Sequence, residues 1–374
     1  MKKKLLSTVA LVTMVATMLF GCGGAPADDS ANNGGASADK VKVSLLVTGS
    51  FGDKAFNDSA QAGMKRLEAE LGDKVEIEMV ELGTDKTKFE GSLLDASESD
   101  SDIIVTGLWE MKEITEKVAQ EFPEKKYIIF DTDIDYAAGD LSNVYSMSYK
   151  QNEGAFLAGV LAASATSSDM EHANAEKVIG FVGAKDTSAV INDSAVGFIQ
   201  GAKFADPDVK VLVSYVGSFV DSATAKELAL TQYDSGADVV FVAAGPASVG
   251  AIEAAAENQK YIIGVDSDQA MAYEGKDEVN YIISSAIKGV GDSIFNAVSR
   301  SLNGELPYGE HESLGLEDGV VALADNDIYQ SVVPEAVRNA VNDAKEKLIA
   351  GEVTVDTAYG MEDSVLKSII NNAK

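Results

Sequence analysis

A chain of 374 residues is long enough for two domains of ordinary size, at about 150 residues each. Its 46% hydrophobic and 24% charged residues match globular usage, which excludes a wholly disordered chain and a polytopic membrane protein. Thirty Lys+Arg against 60 Asp+Glu give a net charge of −30 at pH 7, which repels phosphate backbones and anionic lipid and argues against a nucleic-acid partner.

Lys2, Lys3 and Lys4 precede an apolar run from Leu5 to Phe20, and the small Gly21 stands before Cys22. That pattern is a secretory signal peptide over residues 1–21. The run falls short of the roughly 20 apolar residues of a membrane span, and a polar stretch from Gly23 to Asp39, not a cationic stop-transfer flank, follows it. Leu19-Phe20-Gly21-Cys22 resembles the bacterial lipobox, whose cysteine is acylated and becomes the new N-terminus. Cys22 is the single cysteine, and an unpaired exposed thiol is a liability in an exported protein. Lipidation at Cys22 would hold the protein outside the cytoplasm on the bacterial cell membrane, at about 0.8 kcal/mol per buried CH₂. Residues 22–40, rich in Gly, Ala, Ser, Asn and Asp, then form a lipid-anchored flexible linker.

From Val41 onward, β-branched runs recur: Val41 to Thr48, Val75 to Leu82, Asp102 to Gly107, Lys126 to Asp131 and Val144 to Tyr149. A second series comprises Lys177 to Gly183, Lys210 to Gly217, Ala237 to Gly245, Lys260 to Asp266 and Tyr281 to Ser285. Such near-continuous apolar runs suit parallel strands covered on both faces. Helical patterns lie between them; from Asn57 to Leu71, the residues Ala60, Met64, Leu67 and Leu71 form one buried stripe. Alternation of this kind predicts an α/β protein with doubly wound parallel sheets and right-handed crossovers. Two series of about five strands predict two similar lobes, because a single sheet of that total width is atypical. Open α/β sheets bind ligands outside the carboxyl ends of their strands, which directs attention to Thr48-Gly49-Ser50, Asp131-Thr132-Asp133, Ala244-Gly245-Pro246 and Asp266-Ser267-Asp268.

Catalytic motifs are missing from the sequence. No G-x-x-x-x-G-K-[ST], no G-x-G-x-x-G after the first strand, no G-x-S-x-G elbow and no H-E-x-x-H occurs. The two histidines, His172 and His311, lie in polar stretches that read as solvated surface, and with Cys22 they make no zinc set and no disulfide. Asp131, Asp133, Asp135, Asp266 and Asp268 are either acid–base or metal groups, or caps of the helices that follow their strands.

A binding role has more to work with. Phe56 and Asn57 follow the first strand within Gly52-Asp53-Lys54-Ala55-Phe56-Asn57-Asp58-Ser59, where Asn57 or Asp58 can cap the helix. Phe219 holds the corresponding place in the second series, within Gly217-Ser218-Phe219-Val220-Asp221. One aromatic residue per lobe across a cleft would sandwich a flat ring.

Those two segments, with Gly236-Ala237-Asp238-Val239, Ala243-Ala244-Gly245, Gly264-Val265-Asp266-Ser267-Asp268-Gln269 and Ser284-Ser285-Ala286-Ile287-Lys288 in the same order, resemble the basic membrane protein family. These bacterial lipoproteins are purine-nucleoside-type substrate-binding proteins of ABC transporters. The resemblance implies a periplasmic-binding-protein type I fold, with two α/β lobes joined by three crossovers and nucleoside in the cleft between them. It implies an N-terminal lobe of residues 41–148 plus about 285–320, and a C-terminal lobe of 149–284 plus about 321–374. By position, Phe56 and Phe219 correspond to the base-stacking pair, Asn57 to a base-side partner, and Asp266 and Lys288 to ribose-hydroxyl partners. Trp109, Asp131 and Gly245 fall where the family lines its cleft. An ionised Asp accepts two hydrogen bonds from a vicinal diol and Lys donates to the same hydroxyls.

The family pattern implies a non-enzymatic monomer that needs no cofactor or metal, captures a nucleoside and delivers it to a permease driven by a cytoplasmic ATPase. This chain departs from the pattern after the first strand, where Thr48-Gly49-Ser50-Phe51-Gly52-Asp53 is shorter and has fewer carboxylates. Base specificity and the choice between Phe51 and Phe56 as stacking face stay open on that ground. A sugar or other small solute as ligand, a sensor of ligand for a membrane receptor, and an exported nucleoside-cleaving enzyme are the alternatives.

Overall fold

The computed structural model describes residues 40–374; the expected signal peptide, Cys22 and the expected linker up to Asp39 lie outside the described residues. The first half runs β1 (Val41–Val47), α1 (Phe56–Leu71), β2 (Val75–Glu81), α2 (Phe89–Glu98), β3 (Ile103–Gly107), α3 (Trp109–Glu121), β4 (Lys126–Phe130) and β5 (Val144–Tyr149). The second repeats it with α4 (Gln151–Thr166), β6 (Val178–Gly183), α5 (Ala189–Ala205), β7 (Lys210–Tyr215), α6 (Ser222–Asp234), β8 (Ala237–Ala243), α7 (Ser248–Glu257), β9 (Tyr261–Asp266), the one-turn α8 (Gln269–Ala272) and β10 (Ile282–Lys288). The chain ends through α9 (Val290–Leu302), β11 (His311–Leu314), β12 (Val321–Leu323), α10 (Asp327–Val332), α11 (Glu335–Ile349) and α12 (Asp363–Asn371).

Two six-stranded sheets result, ordered β11-β5-β4-β3-β1-β2 and β12-β10-β9-β8-β6-β7. All pairings are parallel except that of β12 with β10. Strands β3 and β8 are buried along their whole length, as expected for central strands covered by helices on both faces. The two orders superpose term by term, so β4 corresponds to β9 and β5 to β10. Each sheet exceeds the expected five strands by one. The added strands, His311–Leu314 and Val321–Leu323, are too short to show an apolar run. His311 thus lies on a strand; it is exposed, with its ring nitrogens 2.8 and 3.0 Å from the hydroxyls of Ser146 and Ser148.

The chain passes between the lobes three times: from β5 into α4, from β10 into α9, and from β11 to β12. The passages are tied together, because Lys150 N–H donates to the Leu314 carbonyl at 2.8 Å and Gly289 N–H to that of Val320 at 2.7 Å. In the first lobe α9 packs directly on α1. A Cβ on Gly63 would stand 2.3 Å from the Gly291 carbonyl oxygen, so only glycine permits that approach.

Candidate functional site

In each sheet the strand order reverses between the first and third strands of its half, and the carboxyl ends beside such a switch point form the natural ligand crevice. The backbone there is unusual. Asp131 directly after β4 and Asp266 at the end of β9 occupy equivalent places and have left-handed φ of +58° and +69°. Each such non-glycine conformation costs of order 1–3 kcal/mol and persists only where its surroundings demand it. Leu108 after β3 and Gly245 after β8 likewise have φ of +73° and +56°. Four strand exits, two per lobe, thus take a positive φ, at a cost for Asp131, Leu108 and Asp266 and freely for the glycine.

Lys288, the last residue of β10, is 5% exposed, and its Nζ lies 3.0 Å from Oδ1 of Asp131. This ion pair links the second sheet to the first. Burial would lower the Lys288 ammonium, but Asp131, Asp266 and Tyr359 together hold it above its ordinary value, so it stays charged. Desolvation pushes Asp266 up to about 6; Lys288 pulls it down, while Asp131 and Asp53 add to the rise. The site therefore combines a buried ion pair with a carboxylate raised to about 6.

Aromatic faces surround the pair. The Lys288 ammonium is 5.6 Å from the Phe56 ring centre and 5.5 Å from that of Tyr149. Phe56 opens α1, is half-buried and tilts against Phe130 at 5.7 Å. Tyr149 ends β5, the counterpart of β10, and its hydroxyl is 2.6 Å from that of Ser293. In the second lobe Phe219 is 38% exposed, large for a phenylalanine, with the Lys185 ammonium 5.7 Å from its ring centre. A Cβ on Gly245 would touch Phe219 at 3.5 Å, so Gly245 and Phe219 are neighbours.

The remaining sequence candidates have other engagements. Asn57 is buried, and its amide donates to the carbonyls of Thr48 and Ser50 at 3.1 Å each, bracing the loop after β1. Trp109 begins α3 and is 67% exposed; the ring is met by Lys86 at 4.5 Å, and that lysine pairs with Glu110 at 2.7 Å. Phe51 is half-buried against the core. The cap of α1 is neither Asn57 nor Asp58 but Asp53, whose carboxylate accepts from the N–H groups of Ala55, Asn57 and Asp58. Among the strand-end aspartates Asp268 is a helix cap, accepting from Ala270 N–H, whereas Asp131 forms the ion pair with Lys288. Asp133 pairs with Lys112, and Asp135 accepts from Ala137 N–H.

Phe56, Asp131, Asp266 and Lys288 thus come together, and Phe219 joins Gly245. Sequence reasoning missed Tyr149, whose only signal was its place at the end of the strand equivalent to the one that ends in Lys288. It also missed the influence of Tyr359, far along the chain, on Lys288. Among the described residues no group of three or more His, Cys, Asp or Glu side chains could hold a metal ion, and no helix is long and apolar enough to cross a membrane.

Comparison with known proteins agrees with this architecture. The family model described as Bmp, ABC transporter substrate-binding protein PnrA-like, matches residues 40–372. Basic membrane protein A of Borreliella afzelii is 31% identical over 333 residues, covering 88% of this chain and 95% of that protein. The ABC transporter nucleoside-binding protein BmpA of Lactococcus lactis subsp. cremoris is 30% identical, covering 95% and 99%. An ABC transporter solute-binding protein from Aeropyrum pernix superposes with a TM-score of 0.76 at 26% identity, over 89% of this chain and 97% of that one. One from Conexibacter woesei, with a TM-score of 0.70 at 22% identity over 85% and 99%, shares the fold. Two equivalent parallel-sheet lobes, three passages between them and a charged aromatic site at the strand ends are the frame of an ABC transporter substrate-binding protein, and this chain belongs to the Bmp, PnrA-like family of such proteins.

Proposed function

We propose that the protein captures a nucleoside, with a purine as the preferred base, between its lobes and delivers it to a membrane permease from a lipid anchor at Cys22. The observation that carries the reading is the buried Asp131–Lys288 pair beside Asp266 and under the Phe56 ring. An ammonium has three donors, and Asp131 engages one. The others suit the hydroxyls of a ribose, while the Asp266 carboxylate accepts from a vicinal diol. Phe56 on one lobe and Phe219 on the other supply two faces for a base, each worth about 1–3 kcal/mol. Phe56 is favoured over Phe51 as the stacking ring because it, not Phe51, lies beside Lys288. The Lactococcus relative is named as nucleoside-binding, which supports the same ligand class.

Closure follows from the same contacts. Only with the lobes together do Asp131 from the first sheet, and Asp266 and Lys288 from the second, surround one molecule, so ligand selects the closed arrangement. An affinity of about 1 μM or tighter, at least ~8 kcal/mol, is within reach of two stacked faces and charge-assisted hydrogen bonds. Titration calorimetry with guanosine, adenosine, cytidine and ribose tests the reading. Heat from the purine nucleosides is expected; heat from ribose with none from any nucleoside rejects it. Release of free base or ribose on prolonged incubation would instead identify a cleaving enzyme.

A further inference from the structure

A second set of contacts bridges the lobes beside the charged cluster. Lys54, in the loop between β1 and α1, has a left-handed φ of +57°. Its N–H is spent within its own lobe, donating to Asp58 at 2.9 Å, and its carbonyl faces the other lobe. There it accepts from the Ser267 hydroxyl at 2.9 Å and from the Gln269 side-chain amide at 3.1 Å. The Lys54 ammonium lies 5.1 Å from the ring centre of Tyr273, again on the second lobe. Gln269 is 6% exposed; its backbone N–H donates to the Ser285 hydroxyl at 3.1 Å and its side-chain amide to the Val265 carbonyl of its own lobe at 3.2 Å, so its donor is fixed before the lobes meet.

The location makes these contacts sensitive to closure. They join the residue two before Phe56 to residues one and three after Asp266. On the first sheet β1 lies three strands from β5, about 14 Å from the passage into α4 at ~4.8 Å per strand. A hinge opening at that passage separates Lys54 from its partners early. We propose that Lys54, Ser267 and Gln269 form a latch that holds the lobes together and sets ligand affinity without touching ligand. Ser267 and Gln269 are positioning residues: they bring Asp266 up to the lobe that bears Phe56. The left-handed turn at Lys54 is what aims its carbonyl across the gap.

Small-angle scattering from the ligand-free protein reads the latch directly, using Ser267→Ala, Gln269→Ala and the double variant. The radius of gyration of the double variant is expected to exceed that of the wild type and to return to the wild-type value on saturation with nucleoside. Ser267→Ala alone shows the same direction of change should Gln269→Ala fail to fold. Calorimetry is expected to show binding weakened roughly tenfold or more in the double variant, the scale of two lost hydrogen bonds. The factor should be equal for every nucleoside that binds. Unchanged ligand-free dimensions overturn the latch, and so does weakening confined to one base, which would make these residues ligand contacts. The calorimetric arm rests on the nucleoside reading; the scattering arm does not. A wild-type chain that binds no nucleoside therefore sinks that reading while the ligand-free comparison still decides the latch.

Discussion

Asp266 carries two costs at one position, a left-handed backbone and a desolvated charge raised to about 6 from an ordinary 3.8. A carboxyl group whose folded value is raised contributes stability that is fully present below its unfolded value and is lost as pH rises through about 6. At pH 7 the ionised group therefore destabilises the ligand-free protein, and Asp266→Asn should raise its melting temperature by differential scanning fluorimetry. The same substitution should weaken nucleoside binding by about 2 kcal/mol or more. Stability and affinity moving in opposite directions would mark a group kept for function; a fall in both would make Asp266 structural. In the wild type, affinity should decline as pH falls below about 6, where Asp266 takes up a proton and loses its power to accept from hydroxyls. Phe56→Ala should cost binding about 1–3 kcal/mol. Phe51→Ala should instead lower thermal stability and leave affinity near that of the wild type, because its ring packs on the core, as that of Phe56 does, but does not lie beside Lys288.

Among the elements, α1 shows how local chemistry positions the site. Asp53 caps its first turn, Asn57 braces the loop before it, and Phe56 is its first residue. Ala60, Met64 and Leu67 are fully buried in the stripe read from the sequence, and Leu71 is half-buried. The other face of constraint is the close approach to α9 at Gly63 and Gly291. Gly63→Ala drives a Cβ into backbone that has no rotamer to yield, so overpacking should cost about 1–3 kcal/mol in denaturant unfolding. Because the displaced helix carries Phe56, nucleoside affinity should fall with it. A stable variant with full affinity would show that α1 and α9 slide freely. Asp53 escaped notice as the cap because it lies three residues before the helix begins, inside a loop whose path no propensity specifies.

For the whole molecule, the three passages concentrate function at one place. Tyr149 and Lys288 are the last residues of β5 and β10, where the chain crosses between lobes, so the buried ion pair and the hinge are neighbours. On the proposed reading, lobe closure and nucleoside capture are thereby coupled through the same residues. At this scale the proposed anchor is also testable. Cys22→Ala should move the protein from the membrane fraction to the medium, read by immunoblot, while the affinity for nucleoside stays unchanged because every residue of the proposed site lies among the described residues. Retention on the membrane after that substitution would remove the lipid reading.

The sequence by itself determined the α/β alternation, the positions of ten of the strands now described, and the strand ends at which to look. It did so because apolar period and turn chemistry are local, written within a few residues of where they act. The short strands His311–Leu314 and Val321–Leu323 escaped that reading, since so few residues hold no period. Only the tertiary structure decided that Lys288 meets Asp131 across 157 positions, that Tyr149 flanks it, and that Lys54 presents its carbonyl to Ser267 and Gln269. Those pairings depend on strand order and on two sheets facing each other, and a group's charge state in the cleft depends on the water that the facing lobe removes.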